Sequence, residues 1–82
     1  MVEVRFDRKF KIIFAKIKDE FLKNKIKKQI LKIIKKPDIG KPMKNLRKGT
    51  RELYIKPYRL SYLYDIQEKI VYLLDLYHKK KQ

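Results

Sequence analysis

The familiar catalytic sets are missing from this chain, and the chemistry-bearing residues that remain are cationic. One His, no Cys and only two Ser/Thr residues (Thr50 and Ser61) exclude thiol nucleophiles, thiolate metal sites, paired-His acid–base catalysis and a Ser-His-Asp arrangement. No P-loop, Gly-rich phosphate loop or metal-ligand cluster is present, so no cofactor or metal is expected. His78 reads as a packing or hydrogen-bonding residue at a strand end. By contrast, Arg47, Lys48, Arg51, Lys56, Arg59 and Lys79 are interleaved with Tyr54 and Tyr77. Cations grip phosphates and aromatic rings stack unpaired bases, the combination used on single-stranded RNA. RNA also carries its own nucleophile, the 2′-OH. A protein then needs only to align that hydroxyl with its phosphate and to stabilise the added charge of the pentacoordinate transition state. Arg59, Lys79 and Lys56 are the candidates for that charge stabilisation. Arg47, Lys48, Arg51, Tyr54 and Tyr77 are the candidates for holding the strand. Charge and spacing by themselves support binding and leave cleavage open.

Positioning these groups requires a sheet. Residues 49–79 alternate polar and apolar as a meander of three strands, at about 50–56, 58–65 and 69–77, with turns at 56–58 and 66–68. Tight turns would pair Ile55 with Leu60, Leu53 with Tyr62, Ser61 with Leu73 and Arg59 with Asp75. One face then holds Leu53, Ile55, Leu60, Tyr62, Tyr64, Ile70, Tyr72, Leu74 and Leu76. The other holds Glu52, Tyr54, Lys56, Arg59, Ser61, Leu63, Asp65, Val71, Leu73, Asp75, Tyr77 and Lys79. In this register Asp65 and Asp75 face Lys69 and Arg59, so cross-strand ion pairing is their expected use.

The apolar face needs a cover, and the upstream sequence supplies it. Val2, Val4 and Phe6 alternate with Glu3 and Arg5 as a short strand, and Asp7 can cap a helix. Phe10, Ile13, Phe14 and Ile17 fall on one helical face through Lys18. A second helix fits 19–36, striped by Phe21, Leu22, Ile26, Ile30, Ile33 and Ile34, and Pro37 stops it. Residues 37–50 hold both glycines and two of the three prolines, which marks a connecting loop with a short edge strand at 43–47. The expected architecture is one α+β domain of two layers: an N-terminal strand, two helices, then an antiparallel meander of three to four strands.

The charge is lopsided. The 82 residues carry 24 Lys plus Arg against 9 Asp plus Glu, a formal net charge of +15. Between residues 8 and 36 there are twelve Lys or Arg and two acids. Such a field favours a polyanionic partner and makes its binding strongly salt-dependent. Basic amphipathic helices also bind anionic lipid, but here the Ile- and Phe-rich stripes are required to cover the sheet. No signal core or membrane-length apolar run appears, so the expected location is the cytoplasm with no membrane partner.

Order and spacing together resemble the RelE/ParE toxin superfamily. The resemblance rests on Gly40-Lys41-Pro42-Met43, on Gly49 to Tyr62 (GTRELYIKPYRLSY) and on Tyr77-His78-Lys79. These stand where the family has a Gly-x-Pro-Leu loop, a Tyr-Arg-Leu strand and a last strand ending in Gly-His-Arg. The resemblance implies a RelE-like toxin of a toxin–antitoxin pair, which cuts mRNA in the ribosomal decoding site by metal-independent 2′-OH attack. Its partners would be mRNA, the ribosome and an acidic RelB-like antitoxin. It assigns Arg59 to the scissile phosphate, and Lys79, where the family often has Arg, to general acid or charge stabilisation. Glu52 and Tyr54 lie where RelE itself has lysines. A ParE-like inhibitor of DNA gyrase and a non-catalytic RNA- or ribosome-binding protein are the alternatives compatible with the same features.

Overall fold

The computed structural model describes residues 2–44 and 49–78. Strand β1 (Glu3–Phe6) leads into α1 (Arg8–Lys16), whose start is set by the Asp7 carboxylate accepting from the Lys9 N–H at 3.2 Å. The helix ends at Ile17, which turns extended and is itself buried. Asp19 then caps α2 (Glu20–Lys35), one carboxylate oxygen accepting from the N–H groups of Phe21 at 2.9 Å and Leu22 at 3.2 Å. Ile26 and Ile33, two turns apart, are the fully buried positions of α2, and Leu22 and Ile30 flank them. Lys36 closes the helix before Pro37, the residue expected to stop it.

Four further strands follow: β2 (Lys41–Pro42), β3 (Thr50–Ile55), β4 (Tyr58–Asp65) and β5 (Ile70–His78). They form one sheet in the order β1-β5-β4-β3-β2. Pairings among β2 to β5 are antiparallel, whereas β1 lies parallel to β5, with Glu3 opposite Ile70 and Phe6 opposite Leu73. The sheet is therefore mixed, a feature the meander alone did not reveal. The edge strand expected at 43–47 is instead centred on Lys41 and Pro42, with the Met43 N–H donating to the Thr50 carbonyl at 3.0 Å. Residues 45–47 of that expectation lie outside the described residues.

The register departs from the expected one in an instructive way. Tyr54 pairs with Arg59 and Leu53 with Leu60, so the first turn is the two residues Lys56-Pro57. That shift moves the pairing by an even step and leaves the faces of β3 and β4 as expected. On β5 the pairing skips a residue: Ser61 lies opposite Asp75, but Tyr62 lies opposite Leu73. Leu74 is the extra residue of this bulge, and every side chain before it changes face. Val71 and Leu73 consequently join the core cluster, in place of the expected Tyr72 and Leu74; Ile70 is buried as expected but stands outside that cluster. Leu76, beyond the bulge, points inward as expected. The core then comprises Phe10, Ile17, Ile26 and Ile33 from the helical side and Ile55, Leu60, Tyr62, Val71, Leu73 and Leu76 from the sheet.

Tyr62 is the polar member of that core. Its ring is fully buried, and its hydroxyl donates to the Pro37 carbonyl at 2.7 Å while accepting from the Gly40 N–H at 2.8 Å. Burial raises the phenol above its ordinary range, with Asp38 adding to the shift and the Gly40 N–H and Arg51 partly opposing it. Gly40 is required sterically: a Cβ there would lie 2.6 Å from the Tyr62 oxygen. Arg51 completes the lock, donating from Nη1 to the carbonyls of Asp38 at 3.1 Å and Gly40 at 2.8 Å.

Candidate functional site

Both helices pack on one side of the sheet, which leaves the opposite side to the residues singled out for chemistry. Two cross-strand rows organise that side. Tyr54 of β3, Arg59 of β4 and Tyr77 of β5 form one; Glu52, Ser61 and Asp75 form the next. Directly opposed residues share a face, and diagonal neighbours remain within reach of long side chains. Arg59 uses such a diagonal, its Nη1 donating to Glu52 Oε1 at 3.4 Å. The Tyr77 hydroxyl donates to the other oxygen, Glu52 Oε2. Glu52 is only 7% exposed, whereas 29% of the Arg59 side chain remains accessible. Arg59 Nε is enclosed without a partner.

This corrects the expected pairing of Arg59 with Asp75. Asp75 instead forms an ion pair with Lys9 at 3.2 Å, and its Oδ1 accepts from the Leu76 N–H at 2.7 Å. Asp65 likewise serves the final turn, accepting from the Glu68 N–H at 3.0 Å. Two one-residue steps produce the exchange, a four-residue turn at 66–69 and the bulge: together they move Asp75 one row away, opposite Ser61, and put Tyr77 opposite Arg59.

Of the residues expected to act together, Tyr54, Arg59 and Tyr77 share one row. Tyr54 is about half exposed at 52%. Lys56 sits exposed in the turn that closes the β3–β4 pair beyond that row. Arg51 is not brought to them. It lies opposite Tyr62 on the helix-covered side, where its guanidinium holds the 38–40 loop. Lys79, Arg47 and Lys48 lie outside the described residues. Sequence reasoning placed Glu52 on the correct face but assigned it no partner. The available signal was the even register of the β3–β4 hairpin, which makes Glu52 and Arg59 diagonal neighbours.

Chemically the row offers one guanidinium between two phenol rings, with a carboxylate behind it. Such a surface can contact a phosphate through the outer edge of Arg59 and stack a base on Tyr54. Among the described residues, no group of three His, Cys, Asp or Glu is placed to hold a metal ion. No described helix is long and apolar enough to cross a membrane.

The backbone matches known toxins closely. The isolated E. coli RelE toxin superposes with a TM-score of 0.83 at 14% identity, over 100% of this chain and 88% of that one. The RelBE2 toxin–antitoxin complex of Mycobacterium tuberculosis gives 0.81 at 24% identity, covering 95% and 98% of the two chains. The intact E. coli RelBE toxin–antitoxin complex gives 0.79 at 15% identity, covering 93% and 94%. No curated protein matches the chain by sequence. The family described as the ParE toxin of the type II toxin–antitoxin system parDE matches residues 2–82. With two helices on one side of a five-stranded mixed sheet and a family match along its length, the chain belongs to the RelE/ParE superfamily of type II toxins.

Proposed function

We propose that this toxin is a ribosome-dependent mRNA endoribonuclease that acts through the open face of its sheet. The observation that carries the reading is the row Tyr54, Arg59, Tyr77: a cation between aromatic rings, on the side the helices leave bare. Arg59 contacts the scissile phosphate and stabilises the charge that develops as the 2′-OH, losing its proton, attacks phosphorus; the P–O5′ bond breaks, leaving a 2′,3′-cyclic phosphate and a 5′-oxygen that takes up a proton. Lys56, in the β3–β4 turn beyond that row, supplies further positive charge, and Lys79 is assigned the same role from the sequence alone. The net charge of +15 supplies the attraction to ribosomal RNA and mRNA.

The partner that holds it inactive is an acidic antitoxin of RelB type. Two solved relatives are RelBE toxin–antitoxin complexes, and this chain carries an apolar groove of about 500 Å³ along α1 and α2. Phe6, Phe10, Phe14, Ile30 and Leu31 line it, with Lys11 and Lys27 among them. An amphipathic helix with acidic flanks matches that combination.

A second reading follows from the same fold. Glu52 neutralises Arg59 on the open face, and the matching family is described by its ParE toxin; both suit a gyrase inhibitor that needs no cleavage. The experiment that separates them adds purified protein to programmed ribosomes and maps mRNA 5′ ends. Cuts confined to the decoding site, reduced roughly 10²–10³-fold by Arg59→Ala, are the expected result. Intact mRNA together with inhibited DNA supercoiling would overturn the nuclease reading in favour of gyrase.

A further inference from the structure

We propose that Glu52 is a built-in counter-ion to Arg59, which fixes the guanidinium for an incoming phosphodiester and lowers the face's intrinsic affinity for it. The proposal rests on the reading of this face as an RNA site, and it assigns Glu52 a positioning role.

Three observations lead to it. First, a carboxylate presents two oxygens in a plane much as a phosphate does, and Arg59 Nη1 already bonds to one of them. Second, Glu52 is held from both sides, because the Tyr77 hydroxyl donates to the remaining oxygen. Third, Glu52 is 7% exposed on a strand flanked by two others, so it cannot swing into solvent to vacate the guanidinium. Leaving its partners would strand a buried charge. An arriving phosphate therefore adds to the cluster and does not displace Glu52.

The stereochemistry of this arrangement is specific. Nη1 is engaged and Nε is enclosed, which leaves the Nη2 edge to meet the ligand. Contact through one edge forgoes the parallel two-bond fork that makes arginine a strong phosphate binder. The charges of Arg59 and Glu52 also cancel, so the attraction that brings RNA to this face comes from cations outside the pair. Glu52 gives Arg59 one orientation, and the phosphate must come to it.

The test measures anisotropy of a fluorescent 2′-O-methyl RNA oligonucleotide, which cannot be cleaved. Glu52→Gln keeps the shape and removes the charge, and it should bind the probe about tenfold more tightly at low salt, from one unit charge removed several ångströms away. The gain should disappear when Arg59→Ala is added, and Glu68→Gln on the exposed final turn should change binding less than twofold. On programmed ribosomes Glu52→Gln should show a lower KM together with a lower kcat, a split that a purely structural role would not produce. Unchanged or weaker binding by a folded Glu52→Gln protein, or a gain that persists without Arg59, would overturn the proposal. If the variant does not fold, nitrogen-15 spectra of arginine-labelled wild-type protein decide instead. Hindered Arg59 rotation, seen as separate Nη signals that survive saturation with oligonucleotide, supports a retained brace; averaged signals refute it. The binding arm stands even if the wild-type protein cuts no mRNA, so the two readings fail separately.

Discussion

The two sides of the sheet are built to opposite rules. On the helix-covered side the central polar group, the Tyr62 hydroxyl, is satisfied by Pro37 and Gly40, and its ring shares one buried cluster with Leu60, Val71, Leu73 and Ile33. On the other side the central polar group, Arg59, is partly exposed, held at one nitrogen and unpaired at another. A satisfied network fixes one structure. An incompletely satisfied one leaves donors for something else. The contrast teaches where the molecule keeps its stability and where it keeps its capacity to interact, with only the thickness of a strand between them.

Substitutions that separate the two sides test this contrast, and the largest effect belongs to the covered side. Leu60→Ala should cost about 2–5 kcal/mol in urea unfolding, because Leu60 is fully buried. Leu63→Ala, three residues along β4 on the open side and only half-buried, should cost well under half as much. Equal losses would break the comparison. Gly40→Ala drives a methyl group against the buried Tyr62 ring and should cost about 1–3 kcal/mol, measured as a fall in thermal midpoint.

Tyr62→Phe sharpens the same point, since it leaves the Gly40 N–H and the Pro37 carbonyl without their partner; about 1–3 kcal/mol is expected. It should also alter the alkaline limb of the stability profile. Folding raises the Tyr62 phenol above its ordinary value of 10.0, so the folded state holds the proton more tightly than the unfolded chain does. That contribution is complete below pH 10 and is lost as pH climbs from there through the folded pKa. Unfolding curves of the Phe variant should decline less steeply over that window. The smallest effect on stability belongs to Lys56→Gln, within about 0.5 kcal/mol. Its RNA binding should nonetheless weaken, with a salt slope shallower by about 0.7.

Most of the scaffold was legible because local signals agreed with the global fold. Asp7 and Asp19 cap the helices, Pro37 ends the second, and the alternation of β3 and β4 predicts their faces. What escaped were features decided by long-range pairing. Nothing in the alternation of residues 69–77 announces that Leu74 is passed over. One skipped residue reverses the face of everything before it, so Val71 and Leu73 were expected outward and lie inward. The same skip, added to a turn one residue longer than expected, exchanged Asp75 for Tyr77 opposite Arg59. Arg51 was grouped with the other cations by type, yet its strand position turns it towards the loop it clamps. Charge chemistry was therefore readable from composition, and its distribution between faces was not.

The margins of the sheet carry one more consequence. The outer strand β2 is two residues long and includes Pro42, and the opposite margin, β1, is four residues long with Glu3 and Arg5 along it. Short, charged or proline-bearing margins expose few backbone groups in a line, so a foreign strand gains little by lying alongside. Self-association by strand addition is disfavoured at both ends. A protein that captures this chain gains more by reading its side chains across a face or along a groove than by extending the sheet at these strands.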